Sequence, residues 1–203
     1  MDLTLTAPID QYLSSSLLID IDNPAVRAQG QSLRDQSSDD VDYIRRAYEF
    51  VRDEVPHSWD LQSTRVTAKA SDVLEHREGI CYAKSHLLAA LLRSQGVPSG
   101  LCYQRLVLFL DPKDGYSLHA MNTAYVESLD RWIRLDARGN KPGVDAHFLL
   151  DGEQLAFPVR PEMGEIDYPY NFAAPPDCIV DTLLGHVDCM EMYAHGLPSE
   201  LHL

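Results

Sequence analysis

The sequence predicts an α+β protein in which N-terminal helices pack on an antiparallel sheet. Apolar residues recur at helical spacing in the first half of the chain, and three runs of β-branched, aromatic and aliphatic residues follow, separated by turn residues. Helices followed by consecutive strands are typical of this class. The 203 residues are enough for one domain with a sizeable core. We expect a single domain over 1–203, with a core at about 38–140 and a C-terminal extension, 141–203, that wraps the core.

The first two helices are indicated by the residues at their N-termini. Asn23 precedes Pro24, which suits an N-cap followed by proline at the first helical position. Ser38 is the candidate N-cap of a second helix over 38–54, whose first turn carries three aspartates, where the helix dipole favours anions. Pro56 is expected to end this helix.

A buried helix is predicted to begin at Cys81. Before it, Ser71 is expected to cap a brief helix that Gly79 stops. From Cys81 onward, apolar residues occur on nearly every side of the helix, which indicates burial all round. Gly96 is placed to end the helix, and Pro98 follows it, as is usual after a C-cap.

The period of the pattern then changes from helical to extended. The predicted strands lie at 100–111, 118–127 and 131–136, with turns at 112–115 and 128–130. Beyond them, the proline-rich stretch 157–177 is expected to be extended on the surface, and 181–194 to form a last helix.

Charge and composition exclude several classes of function. The formal net charge is -14, which argues against binding nucleic acid through phosphate neutralisation and against an anionic membrane surface. No secretory signal and no stretch of membrane-spanning length is visible. The four cysteines show no disulfide-framework spacing. We therefore expect a cytoplasmic protein with free thiols and no nucleic-acid or membrane partner.

Cys81 is the candidate nucleophile. It follows Gly79-Ile80 at the predicted start of the buried helix, where unpaired backbone N–H groups and the positive end of the helix dipole stabilise a thiolate. The glycine permits close approach of a substrate backbone. Taken alone, Cys81 is equally compatible with a small core residue. The other cysteines lack a glycine-led helix start.

A nucleophilic cysteine needs a base and a group that orients the base. His119 lies near the start of the second strand, and Asp136 lies at the end of the third. A simple hairpin about the turn at 128–130 pairs Asp136 with Asn122 rather than with His119. A register slip of about three residues, or a bulge, is therefore expected. Taken singly, a structural histidine and a turn-capping carboxylate explain these two residues as well.

The order of these three residues resembles the transglutaminase-like superfamily, which is related to papain-like cysteine proteases. The matching segments read GICYAK at 79–84, LLAALLR at 87–93, GVP at 96–98, HAMN at 119–122 and WIRLD at 132–136. The resemblance implies the transglutaminase-like/cysteine proteinase fold and a catalytic triad of Cys81, His119 and Asp136. The chain departs from the family at Met121, where an aromatic residue is frequent, and 141–203 matches no family template, so the substrate stays open.

The resemblance also implies a reaction. A thiol enzyme of this kind acts on amide bonds through a thioester: transfer to water makes it a peptidase or amidase, which we favour, and transfer to an amine makes it a transglutaminase. The expected partners are a peptide or protein substrate and, in the second case, an amine. An oxyanion hole needs the N–H of the nucleophile and one side-chain donor, for which Trp59 and Gln62 are available. A non-catalytic peptide-binding module on the same fold is the alternative.

No cofactor or metal is expected. The sequence contains no Cys-x-x-Cys pair, no zinc-type histidine pair and no EF-hand loop. His186, Asp188, Cys189 and His195 form a weak cluster that is better explained as solvated tail residues, although a metal-binding protein is a third hypothesis.

Overall fold

The structure is a computed structural model that describes residues 3–108 and 112–201. The α-helices are α1 (Pro24–Asp35), α2 (Asp40–Glu54), α3 (Ser58–Leu61), α4 (Ala70–His76), α5 (Cys81–Ser94), α6 (Asp177–Gly185) and α7 (Cys189–Glu191). The strands are β1 (Thr4–Leu5), β2 (Ser99–Val107), β3 (Tyr116–Val126), β4 (Arg131–Leu135), β5 (Ile166–Asp167) and β6 (Tyr170–Asn171). Short helical turns cover Ile9–Leu13, Pro112–Asp114, Glu127–Leu129, Pro161–Met163 and Met192–Gly196. Within the described residues, no helix combines the length and the apolar character needed to cross a membrane.

The N-terminal helices begin close to the predicted residues. Asn23 caps α1 by accepting a hydrogen bond from the Ala25 N–H at 2.9 Å, as expected. The expectation for Ser38 is wrong, because α2 is capped by Asp39, whose carboxylate accepts from the Asp42 N–H at 2.8 Å. A carboxylate at the N-cap also interacts favourably with the positive end of the helix dipole.

The expectation for Ser71 and Gly79 is also wrong in detail. The N-cap of α4 is Lys69, two residues before Ser71, and the Asp72 carboxylate accepts from the Lys69 N–H at 3.1 Å. The helix ends at His76 because Arg77 adopts the left-handed conformation, with φ of 54°. This turn reverses the chain before Gly79 is reached, so the glycine serves the approach to α5 instead.

Helix α5 is the centre of the molecule. All its residues except Ser94 are buried, and it contacts α1, α2 and α4 on one side and β2 and β3 on the other. This double contact explains why its sequence is apolar nearly all round. Gly96 follows the helix with φ of 81°, as its predicted place requires.

The sheet is antiparallel, in the order β4-β3-β2-β5, and a separate parallel pair joins β1 to β6. The helices on a curled antiparallel sheet confirm the predicted α+β class. The predicted strand 100–111 is observed as far as Val107, and its last three positions, 109–111, lie outside the described residues.

The observed register corrects the expected three-residue slip. Asn122 of β3 pairs with Leu135 of β4. Continued by one residue, this register places Asp136 opposite Met121, which is two residues from His119 on the same strand. Side chains at such diagonal positions of an antiparallel pair lie on one face and within reach of each other. No bulge or long slip is therefore needed to bring the two together.

The residues after β4 pack along the first part of the chain. Strand β5 pairs with β2, and β6 pairs with β1. The predicted helix over 181–194 is instead divided, because α6 ends at Gly185 and Asp188 caps a new helix, α7, by accepting from the N–H groups of Met190 and Glu191. The expected single domain over 1–203 stays a prediction.

Candidate active site

Cys81 is the first residue of α5, so its backbone N–H is one of those that a helix leaves without an intrahelical partner. Cys81 is 8% exposed, and its side chain lines a cavity. The preceding turn is crowded: a Cβ at Gly79 would lie 3.1 Å from Thr67 Oγ1 and 3.3 Å from Ala83 Cβ. A glycine therefore lets the chain enter α5 against these neighbours.

His119 and Asp136 form a buried pair. His119 Nε2 lies 2.8 Å from Asp136 Oδ2, and the two residues are 5% and 1% exposed. Burial disfavours the protonated ring, but the charge of Asp136 outweighs it and, with hydrogen bonds to Asp136 and Cys81, raises the pKa of His119 to about 10. The imidazole is thus held as an imidazolium through the neutral range.

The same histidine also contacts the thiol. The Cys81 side chain interacts with His119 and helps to raise the pKa of its ring, and both residues line the same cavity. Because Nε2 is occupied by Asp136, Nδ1 is the ring nitrogen that remains for the sulfur. The structure therefore brings Cys81, His119 and Asp136 together in one line of contacts.

Two backbone groups hold the Asp136 carboxylate in place. The Arg138 N–H donates to Oδ1 at 3.1 Å, and the Ala156 N–H donates to Oδ2 at 2.9 Å. Burial disfavours the carboxylate, but the charge of His119 and these hydrogen bonds lower the pKa of Asp136 below its usual range. The Asp136 carboxylate thus stays ionised beside the ring.

His57, which was not among the residues predicted from the sequence, lies next to the backbone N–H of Cys81. Its Nε2 lies 3.1 Å from the Cys81 backbone nitrogen, and its Nδ1 lies 3.2 Å from the Trp59 backbone nitrogen. Burial and the positive charges of Arg138 and Lys84 hold the pKa of His57 well below its usual value, so the ring is neutral. A neutral imidazole has only one acceptor nitrogen, so one of these contacts brings two N–H groups face to face.

The two oxyanion donors proposed from the sequence, Trp59 and Gln62, lie in different surroundings. Trp59 lines the cavity, where its ring stacks on Tyr193 at 4.3 Å between centroids. Gln62 is not among the described lining residues, and its side chain donates to the Trp59 carbonyl at 2.6 Å. The geometry therefore offers no support for Gln62, and it places His57 beside the Cys81 N–H instead. His57 could have been proposed from its position two residues before Trp59, in the segment that precedes α5.

The cavity beside Cys81 has a volume of about 450 Å³, within the range of small-molecule and peptide sites. Cys81, His57 and His119 lie on its wall, and the aromatic rings of Trp59, Phe157 and Tyr193 line it as well. The last two rings come from the C-terminal extension. The cavity wall thus combines a thiol, a protonated imidazole and apolar rings.

The remaining cysteines are chemically distinct from this site. All four cysteines are free. Burial raises the pKa of Cys102 to about 12 and that of Cys189 to about 11, and it raises the pKa of Cys178 as well. Within 3–108 and 112–201, no group of three or more His, Cys, Asp or Glu side chains is arranged to hold a metal ion. The His186 ring instead contacts the Thr182 carbonyl at 2.8 Å.

Comparison with known proteins gives one family. The profile of the transglutaminase-like superfamily matches residues 27–137, which is more than half of the chain. No curated protein matches the sequence.

Solved structures also match the chain. A candidate cysteine protease from Cytophaga hutchinsonii is 22% identical, with a TM-score of 0.53 over 64% of this chain and 42% of its own. The periplasmic domain of TgpA from Pseudomonas aeruginosa is 20% identical, with a TM-score of 0.48 over 65% of this chain and 48% of its own. The chain matches less than half the length of either protein. The expected transglutaminase-like/cysteine proteinase fold is confirmed.

Proposed function

The chain belongs to the transglutaminase-like superfamily, and on that premise we propose that it is a thiol enzyme that acts on amide bonds through Cys81, His119 and Asp136. The observation that carries this proposal is the buried line of contacts from the thiol to the imidazole and from the imidazole to the carboxylate, 2.8 Å long at its second step. Stability alone does not explain why these residues are present, because well-packed apolar residues of similar volume often stabilise a fold as well as a buried charge pair does. Chemistry at the sulfur explains it better.

The proposed reaction has two steps. The Cys81 sulfur attacks the carbonyl carbon of an amide, the imidazolium of His119 gives its proton to the leaving nitrogen, and the C–N bond breaks to leave a thioester and a free amine. Water then attacks the thioester while His119 takes up one of its protons. The C–S bond breaks, the carboxylic acid departs, and the Cys81 thiolate and the His119 imidazolium are restored.

We assign the oxyanion site to the Cys81 N–H and to His57. If Nδ1 accepts from the Trp59 N–H, the proton of the ring is on Nε2, which then faces the Cys81 N–H as a second donor. The Cys81 N–H and the His57 Nε2–H repel each other when no acceptor lies between them. A carbonyl oxygen that becomes negatively charged in the transition state accepts from both, which is the differential stabilisation that accelerates acyl transfer.

Hydrolysis is favoured over transfer to an amine. The cavity of about 450 Å³ is larger than a single side chain, so it leaves room for water next to the thioester. Bulk water is present at about 55 M, so efficient transfer requires a site that excludes water and admits an amine. The alternatives are a transglutaminase and a peptide-binding module without turnover.

One incubation separates these possibilities. The protein is mixed with a library of glutamine-containing peptides and a labelled primary amine, and products are identified by mass spectrometry. Cleaved or deamidated peptides without incorporated amine support the peptidase or amidase, and efficient incorporation supports the transglutaminase. The Cys81→Ala variant must abolish either product. No turnover by the wild-type protein would favour the binding module.

A further inference from the structure

The cavity that holds the thiol contains more positive than negative charge. Among the described residues that line it, Arg138, Lys141 and Arg160 are cationic and Glu165 is a carboxylate, while the charge of His119 is balanced by Asp136. This local surplus is opposite in sign to the net charge of -14 of the whole chain. It is therefore a property of the site and not of the composition.

One of these cations is neutralised within the cavity wall. The Arg160 guanidinium contacts the Glu165 carboxylate at 3.1 and 2.5 Å, and the Arg160 N–H donates to the same carboxylate at 2.7 Å. The Glu165 side chain is almost fully buried. This pair contributes no net charge to the cavity.

The other two cations share a single carboxylate. Arg138 binds Asp60 through two parallel hydrogen bonds of 2.6 and 3.0 Å, and the Lys141 ammonium lies 2.5 Å from the same carboxylate. Burial disfavours the Asp60 carboxylate, but its two cationic neighbours hold its pKa well below the usual range, so it remains charged. Two positive charges against one negative charge leave a surplus of one.

This surplus lies next to the reacting groups. The chain places Arg138 two residues after Asp136, and its positive charge acts on His57 and interacts with the Cys81 sulfur. The Lys141 side chain is 39% exposed, so its ammonium, which can donate three hydrogen bonds, is accessible from the solvent side of the cavity.

We propose that Arg138 and Lys141 bind a carboxylate that the substrate carries close to the amide bond attacked by Cys81. Arginine presents a planar pair of donors and lysine a mobile point charge, and together they recognise a carboxylate that reaches into the cavity. The substrate class is thus an acidic peptide, or an amide with a neighbouring carboxylate. This inference deepens the proposed function and rests on it for the identity of the reacting bond.

The first test uses the thiol as a reporter. Rates of Cys81 alkylation are measured with iodoacetate, which is anionic, and with iodoacetamide, which is neutral and nearly the same size. We expect the ratio of the iodoacetate rate to the iodoacetamide rate to fall by about three- to tenfold in Lys141→Gln, and to fall in the wild-type protein as salt is added. Arg27→Gln, which removes an exposed cation outside the cavity, is the matched control. A ratio that is the same in Lys141→Gln and in the control overturns the proposal.

The second test does not require a reactive thiol. The affinities of N-acetyl-glutamate amide and N-acetyl-glutamine amide, which differ by one charge, are compared by calorimetry on the Cys81→Ala protein. We expect the glutamate compound to bind about three to ten times more tightly, and the preference to disappear when Lys141→Gln is added. Equal affinities, or no binding of either compound, contradict the proposal. A clear preference together with an unreactive Cys81 would instead contradict the proposed enzyme and leave the carboxylate site standing.

Discussion

Phe157 packs edge-to-face against the imidazole of His119, with the ring centroids 5.1 Å apart and the planes at 86°. The neighbouring residue, Ala156, donates its N–H to Asp136. Two consecutive residues of the C-terminal extension therefore contact two of the proposed catalytic groups. The site is covered by a segment that lies outside the matched family region, 27–137.

Removing the Phe157 ring should weaken the electrostatic attraction between Asp136 and His119. In Phe157→Ala, water reaches the pair and screens the attraction, so the pKa of His119 should fall from about 10 toward its usual value of 6.5. The measurement is the titration of the histidine ring by NMR. Phe148→Ala, which removes a ring that packs on Tyr48 instead, should leave the titration unchanged. An unshifted pKa in Phe157→Ala would show that the ring does not shield the pair.

The ion pair of His119 and Asp136 predicts a pH dependence of stability. The raised pKa of His119 means that its contribution is complete below about pH 6.5 and is lost as pH rises through about 10. The lowered pKa of Asp136 means that its contribution is present above about pH 4 and is lost as pH falls.

The variant Asp136→Asn tests this window. The difference in free energy of unfolding between the wild-type protein and the variant should be largest between about pH 4 and 6.5, and roughly 2–3 kcal/mol smaller near pH 10. Urea unfolding at several pH values measures it. A difference that does not change with pH would mean that the pair is not charged in the folded protein.

Alkylation should identify Cys81 as the reactive thiol. The raised pKa values of Cys102, Cys178 and Cys189 keep those groups as thiols at neutral pH, and the thiolate is the form that reacts. Mass spectrometry after limited iodoacetamide treatment at pH 6–7 should therefore find the label on Cys81 first. His119→Ala should slow this reaction by at least about tenfold, since the imidazolium partner is lost. His147→Ala, at an exposed histidine paired with Asp145, is the control.

His57 should act on the rate of reaction more than on substrate binding. If Nε2–H is an oxyanion donor, His57→Leu should lower kcat by about 10²–10³ with a small effect on KM. His57→Gln keeps an N–H donor of similar reach and should recover part of the loss. Equal losses in both variants, accompanied by a lower unfolding temperature, would assign His57 a structural role only.

Arg93 should be important for stability without taking part in the reaction. Its buried guanidinium donates to the carbonyl oxygens of Ser14, Ser99 and Ala173 at 2.7–2.9 Å, so it ties α5 to the N-terminal and C-terminal segments. Arg93→Leu leaves these carbonyls without partners and should lower the free energy of unfolding by roughly 2–4 kcal/mol, measured in urea. Arg27→Leu should have almost no effect, because that side chain is exposed.

Local patterns in the sequence predicted most of the elements, for identifiable reasons. The roles of Asn23 as N-cap and Pro24 as first helical residue are predicted correctly because capping depends only on neighbouring atoms. The limits of Cys81–Ser94 are read correctly because a helix that is buried on all sides is apolar throughout. The cap of α2 is misplaced because Ser38 and Asp39 are both good N-cap residues, and the sequence carries no sign of which one the fold selects. The helix over 181–194 is predicted undivided because the sequence does not reveal that Asp188 caps a separate helix.

The sequence by itself determined the α+β class, the start of the nucleophile helix and the family resemblance that singled out Cys81, His119 and Asp136. Only the tertiary structure decided how these residues meet: the diagonal reach from β4 to His119, the approach of His57 to the Cys81 N–H, and the cover supplied by Phe157. The shared carboxylate of Arg138 and Lys141 belongs to the same group, because Asp60 is 78 residues away from Arg138 along the chain. Helix and strand patterns arise from neighbours in sequence, whereas the charge, shielding and donor geometry of a site arise from segments that only folding brings into contact.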